Sequence, residues 1–211
     1  MILVTGGTGF IGPHVIHALR ARELPVRALV RDRTRASRLG AWGVELVEGD
    51  VTDPNSLRAA CAGVDAVIHQ VAIIKGARAD FERVMTQGTR NVVAAAQESG
   101  VRRLVLASAL GLDERSKDAV PYYAAKWEME RAVRESTLEH VIFRPSFVFG
   151  KDGGVLPTFV RLARFAPVTR PRRPPSVYSR SGWTTWPSTT SARSTSPRRP
   201  GGRSRSAARM Q

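Results

Sequence analysis

Apolar residues along the chain switch between two spacings. Short runs rich in Val, Ile and Leu stand at Ile2-Leu3-Val4, Val26-Arg27-Ala28-Leu29-Val30, Val44-Glu45-Leu46-Val47-Glu48, Ala66-Val67-Ile68-His69-Gln70-Val71-Ala72 and Arg103-Leu104-Val105-Leu106-Ala107. Their length predicts strands, and the fourth is apolar on both faces, as a central parallel strand covered on both sides must be. Between them the spacing turns helical, over residues 13–22, after Asp53-Pro54, over about residues 80–99, and from Tyr122 onward. Asp53 then Pro54 is a strong helix start, because the carboxylate caps free amides and proline needs no hydrogen-bond acceptor there. Strand and helix in alternation predict an α/β fold, a doubly wound parallel sheet.

The first strand-to-helix junction reads Thr5-Gly6-Gly7-Thr8-Gly9-Phe10-Ile11-Gly12. A glycine turn between a strand and a helix suits a dinucleotide. Gly6 permits the sharp turn, Gly9 leaves room for a pyrophosphate, and Gly12 permits tight packing of the first helix, whose free amides receive the phosphates. The residue beyond the second strand faces the adenosine ribose. It is Arg31, with Arg33 and Arg35 close behind, so a cation stands where a 2′-phosphate would lie. NADP(H) is favoured, with NAD(H) open because Asp32 would meet the ribose if the register slipped by one. Asp50 leaves a carboxylate at the end of the third strand, able to accept from the adenine amino group.

Charge separates the chain into two parts. The formal net charge is +15, yet residues 1–167 hold 23 Lys and Arg against 18 Asp and Glu, while residues 168–211 hold 10 Arg and no acid. The expected domains are therefore a nucleotide-binding domain over 1–167 and an Arg/Ser/Pro/Thr-rich tail over 168–211. The tail lacks Leu, Ile and Phe, so it is expected to be disordered, with too little apolar surface to offset its ordering entropy. The absence of an apolar run of about 18 residues argues against a membrane span, and with no signal peptide read at Met1 a cytoplasmic location is the default. The single Cys61, in Ala-Ala-Cys-Ala, reads as a core residue and not a nucleophile. His14, His17 and His140 form no metal-ligand pattern; His69, near the end of the fourth strand, is a candidate to line the cleft.

Candidate chemistry follows the fifth strand. Ser108 comes directly after it, and Tyr122 and Lys126, four residues apart, share one helix face. A tyrosine with a pKa of about 10 is a poor acid-base group at neutral pH, and a nearby ammonium is expected to favour its phenolate.

Five stretches together resemble the short-chain dehydrogenase/reductase superfamily, in its extended or atypical branch. They are Thr5 to Gly12, Gly49-Asp50-Val51, Gly88-Thr89, Tyr122-x-x-x-Lys126 and Arg144-Pro145-Ser146-Phe147-Val148-Phe149-Gly150, spread over residues 1 to about 165. The resemblance implies a Rossmann fold with NAD(P) held by Thr5, Gly6, Gly9, Phe10, Ile11 and Gly12, and adenine against Asp50 and Val51. Val71 and Ala72, ending the fourth strand, join them as cofactor contacts. Tyr122 would be the acid-base group and Lys126 would hold the nicotinamide ribose, with Ser108 as the accompanying hydroxyl.

Two positions depart from the extended pattern. Ser108-Ala109 stands where a Ser/Thr pair is usual, which leaves the hydroxyl position open between Ser108 and, by register, Ala109; Met85 stands where asparagine is usual. Both changes resemble the atypical branch, which includes small-molecule reductases, NADPH-sensing regulators and an accessory subunit of respiratory complex I. The expected function is an NADP(H)-dependent oxidoreductase or a sugar-nucleotide or small-molecule epimerase-like enzyme, with Tyr122 and Lys126 in acid-base chemistry. The alternative is a non-catalytic NAD(P)H-binding regulator or assembly factor, and nucleic-acid binding through the tail ranks third.

The tail itself has three readings: a basic tail for anionic surfaces, a linker, or translation out of frame. With G+C-rich codons for Gly182 to Pro187, reading from the last glycine base gives Val-Asp-Asp-Val-Ala, which resembles a segment of the family's substrate half. Residues 156–165 carry a helical pattern.

Overall fold

The computed structural model describes residues 1–150 together with Gly153 and Gly154. The helical pattern at 156–165 and the tail at 168–211 lie outside the described residues.

Six parallel strands form one sheet: β1 (Ile2–Thr5), β2 (Val26–Val30), β3 (Glu45–Glu48), β4 (Ala66–His69), β5 (Arg103–Ala107) and β6 (Glu139–Phe143), in the order β3-β2-β1-β4-β5-β6. The order reverses between β1 and β4, and ligands of such sheets bind beyond the carboxyl ends of the strands at that reversal. Helices α1 (Gly12–Arg20), α2 (Ser37–Ala41), α3 (Pro54–Cys61), α4 (Arg78–Phe81), α5 (Gly88–Glu98) and α6 (Pro121–Arg134) connect them. A small antiparallel pair, β7 (Phe149–Gly150) and β8 (Gly153–Gly154), follows.

Alternation along the strands creates two cores. Leu3, Leu29, Val67, Leu104 and Leu106 meet Leu57, Val92, Met129 and Val133 on the face covered by α3, α5 and α6. Val4, Val26, Ala28 and Val30 meet Ile16 and Leu39 on the face of α1 and α2. Cys61 is fully buried in the first core, where burial pushes its thiol up to about 11 against the pull of Arg27, so it stays protonated.

Three elements depart by more than one residue from the sequence expectation. The first helix stops at Arg20 because Glu23 takes a left-handed φ of 59° and Leu24 N–H bonds back to Leu19 C=O, closing the helix end. β4 stops at His69: Gln70 N–H still donates to Thr5 C=O, but Val71 and Ala72 leave the sheet and join the cleft. The long helix expected at 80–99 is α4 and α5 joined through a π-helical segment, Glu82–Gln87. Asp53 caps α3 as expected, its side chain accepting from Asn55 N–H at 3.0 Å.

Candidate nucleotide site

The cleft lies where the strand order reverses. Its volume is about 220 Å³, and its walls come from four connections. Thr5 ends β1 and Gly6, Thr8 and Gly9 form the glycine turn after it; Leu29 lies near the end of β2 and Arg31 just past it; Gly49, Asp50 and Val51 follow β3; Gln70 to Ile73 follow β4, with Val84 opposite from the π segment.

Gly6 has φ 79°, and a Cβ there would stand 2.9 Å from the Gln70 carbonyl carbon, so the turn accepts only glycine. Gly12 starts α1 pressed against the turn itself: a Cβ would meet the Gly6 oxygen at 2.4 Å and the Gly7 Cα at 2.6 Å. The amides of Phe10 and Ile11 enter none of the backbone hydrogen bonds among the described residues. They therefore stand as free donors at the positive end of α1, a cradle that fits a pyrophosphate. Phe10, Ile11 and Gly12 do not line the cleft with side chains. Phe10 packs edge-on against His14 and covers Gly150, so any contact of these three with a phosphate is through backbone.

Arg31 and Asp32 are placed differently. Arg31 projects at the cleft, exposed, one residue past the end of β2. Asp32 is occupied by its own turn, accepting from Thr34 N–H at 2.8 Å and Arg35 N–H at 3.2 Å and pairing with the Arg35 guanidinium. Asp50 Oδ1 accepts from Thr52, from its N–H at 2.8 Å and from its hydroxyl at 2.7 Å, which orients the carboxylate at the cleft wall.

His69 does not line the cleft, contrary to the sequence expectation. The β1–β4 register sets it beside Thr5, and the alternation of β4 turns its ring onto the α5 face, where it is fully buried between Thr5 and Thr89.

The Tyr122 and Lys126 expectation needs one correction. Lys126 is only 2% exposed and donates to Ala107 C=O at 2.6 Å, with its Nζ 5.8 Å from the Tyr122 ring centroid. Burial lowers its pKa to about 8, partly resisted by Glu130. Half-buried Tyr122 has its pKa raised, first by burial and then by neighbouring Tyr123, the opposite of the expected pull towards phenolate, so the phenol stays protonated. Ser108 is buried, and its Oγ meets no partner at full hydrogen-bonding geometry, yet it lies close enough to Glu130 to help hold that carboxyl ionised. No hydrogen bond joins Ser108 to Tyr122 among the described residues.

Gln70, Ile73 and Val84 are cleft residues that the sequence reading missed. Gln70 and Ile73 flank Val71 and Ala72, so strand-end position is a signal that could have found them, whereas Val84 reaches the cleft through a π turn with no recognised sequence signal.

A family model described as NAD(P)H-binding matches residues 6–163. An NAD(P)H azoreductase of Xenophilus azovorans is 34% identical over 149 residues, covering 70% of this chain and 48% of the azoreductase. A short-chain dehydrogenase/reductase superfamily protein from Agrobacterium tumefaciens, solved with bound NAD, is 34% identical with a TM-score of 0.57, over 68% of this chain and 48% of that one. An NADPH-dependent quinone oxidoreductase from Escherichia coli, solved with NADPH, is 26% identical with a TM-score of 0.58, over the same shares of the two chains. The chain thus spans about half the length of the curated relatives it matches. Among the described residues no helix is long and apolar enough to cross a membrane. With the glycine turn, the sheet reversal and these matches in agreement, the chain belongs to the NAD(P)H-binding family of Rossmann-fold, short-chain dehydrogenase/reductase-like proteins.

Proposed function

We propose that the chain is the cofactor-binding part of an NADP(H)-dependent reductase of a small carbonyl or similarly polarised substrate. The carrying observation is the division of labour after β2: Arg31 faces the cleft while Asp32 is consumed by its own turn. A ribose 2′-phosphate would meet a guanidinium and no competing carboxylate from that pair.

When bound, the reduced nicotinamide supplies a hydride. Tyr122, kept protonated by burial, gives a proton to the substrate oxygen as negative charge develops there. Lys126, anchored on Ala107 C=O, has two further ammonium donors to offer the nicotinamide ribose. Ser108 faces Glu130, which favours a supporting role for it over direct contact with substrate. The epimerase-like reading would place the same groups around a sugar nucleotide or other small molecule, with an oxidised cofactor supplying a hydride acceptor.

Arg31→Ala should weaken NADPH binding about tenfold and leave NADH nearly unchanged, the lower end of a charge-assisted hydrogen bond because Arg31 is exposed. Fluorescence titration with each cofactor reads this directly; equal losses for both would sink the 2′-phosphate assignment. Tyr122→Phe should slow NADPH oxidation across a carbonyl panel by about a hundredfold or more while cofactor affinity holds.

A second reading is favoured by one observation: among the described residues no hydrogen bond reaches the Tyr122 hydroxyl, from Ser108 or any other group. Under it the chain binds NAD(P)H as a regulator or assembly factor without turnover. NADPH binding with no oxidation above background, in wild type and Tyr122→Phe alike, would select it.

A further inference from the structure

Behind the cleft, a buried hydrogen-bonded chain joins its two walls. Thr5, which ends β1 at the glycine turn, brings Oγ1 to 2.6 Å from His69 Nδ1. His69 Nε2 lies 3.0 Å from Thr89 Oγ1, and the Thr89 hydroxyl donates to Met85 C=O at 2.6 Å. Met85 adjoins Val84, the cleft residue of the π segment. Thr5, His69, Met85 and Thr89 are all fully buried.

The proton positions follow from counting donors. Thr89 spends its only proton on Met85 C=O, so it can only accept from His69, which must carry its proton on Nε2. Nδ1 is then a bare acceptor, and the Thr5 hydroxyl must donate to it. All the donors point one way, from Thr5 on one side and Nε2–H on the other, and every group is satisfied only if the ring is neutral. Burial, reinforced by Lys126, lowers the ring's pKa to about 3, in agreement with that geometry. The Thr5 hydroxyl is thereby turned away from the cleft, and the glycine turn is tied to the π segment through a single ring.

We propose that His69 is a positioning residue for the nucleotide: it sets the spacing between the glycine turn at Thr5 and the opposing Val84 wall. π turns inside helices recur at functional sites because the extra residue shifts side chains off the helical register. Here the shift brings Val84 to the cleft, and the Thr89 to Met85 bond holds the segment in place. The proposal rests on the nucleotide-binding reading above.

The test uses the full chain with NADPH titration and urea denaturation on each variant. His69→Leu removes both bonds, and Thr5→Val removes one donor at nearly constant shape; each should raise the NADPH dissociation constant roughly tenfold at temperatures where the protein is folded. Thr5→Ser keeps the hydroxyl and should bind within about twofold of wild type. If His69→Leu fails to fold, Thr5→Val against Thr5→Ser decides. Nitrogen-15 spectra should show the Nε2–H ring form unchanged from about pH 5 to pH 8. Stability losses with unchanged NADPH affinity, or Thr5→Ser as weak as Thr5→Val, would overturn the proposal while leaving the binding reading intact. Wild type that does not bind NADPH would overturn that reading and the proposal with it.

Discussion

Gly12→Ala should abolish nucleotide binding and destabilise the domain by about 3 kcal/mol, because a single methyl group would overlap backbone that has nowhere to go. The added Cβ would stand 2.4 Å from the Gly6 oxygen and 2.6 Å and 2.7 Å from the Gly7 Cα and carbonyl carbon. All three atoms belong to the turn that has to cradle the phosphates. Relief of the overlap requires α1 to lift from the turn, which removes the free amides of Phe10 and Ile11 from reach of a pyrophosphate. Urea denaturation and NADPH titration read the two effects separately. A Gly12→Ala protein of native stability that still binds would show that the close approach has no functional weight.

The second large effect is expected at Glu130. Its side chain is 3% exposed and receives Arg144 in a two-pronged pair, Nε to Oε1 at 2.8 Å and Nη2 to Oε2 at 2.6 Å, with Arg134 at 3.1 Å. Burial alone would raise the carboxyl's pKa, but hydrogen bonds from Arg144 and Arg134, helped by the nearby Ser108 hydroxyl, outweigh it and hold the group at about 2. Glu130→Gln should cost about 3 kcal/mol, the low end for breaking a buried pair, since Arg144 keeps some contact with water.

The same pair predicts a pH dependence. A carboxyl whose folded pKa lies below its ordinary 4.5 stabilises the fold fully above 4.5, and that stabilisation drains away as pH falls towards about 2. Wild type should therefore lose stability between about pH 4.5 and pH 2 more steeply than Glu130→Gln in urea titrations. Parallel curves for the two proteins would contradict the pairing. The pair also bears on the site, since Arg144 holds the chain after β6 against α6, and Pro145 C=O accepts from Leu110 N–H just beyond Ser108.

Much of the architecture is legible because it is local. β2 and β5 fall where the apolar runs place them, Val26–Val30 and Arg103–Ala107, since a parallel strand buried on both faces has to be written as continuous hydrophobic sequence. The glycine turn and the Asp53 cap are equally local, each fixed by the conformation its residues permit. The position of Arg31 at the cleft follows from counting one residue past a strand.

What stays hidden depends on distance and burial. Glu130 and Arg144 are 14 residues apart, on different elements, and no spacing rule joins them. The π segment adds one residue to a helical turn without a recognised sequence mark, so the reach of Val84 into the cleft cannot be read from the chain. Proximity of His69 to a strand end is plain in the sequence, but its face depends on the register with Thr5. For Tyr122 the residue pair is visible while the dominant influence, desolvation, is not.

Titration of the full chain with NADPH, and in parallel with NADH, tests the nucleotide assignment most directly. Saturable binding at a single site, about tenfold tighter for NADPH than for NADH, is the expected result. An absence of saturable binding to either cofactor by this chain would contradict it.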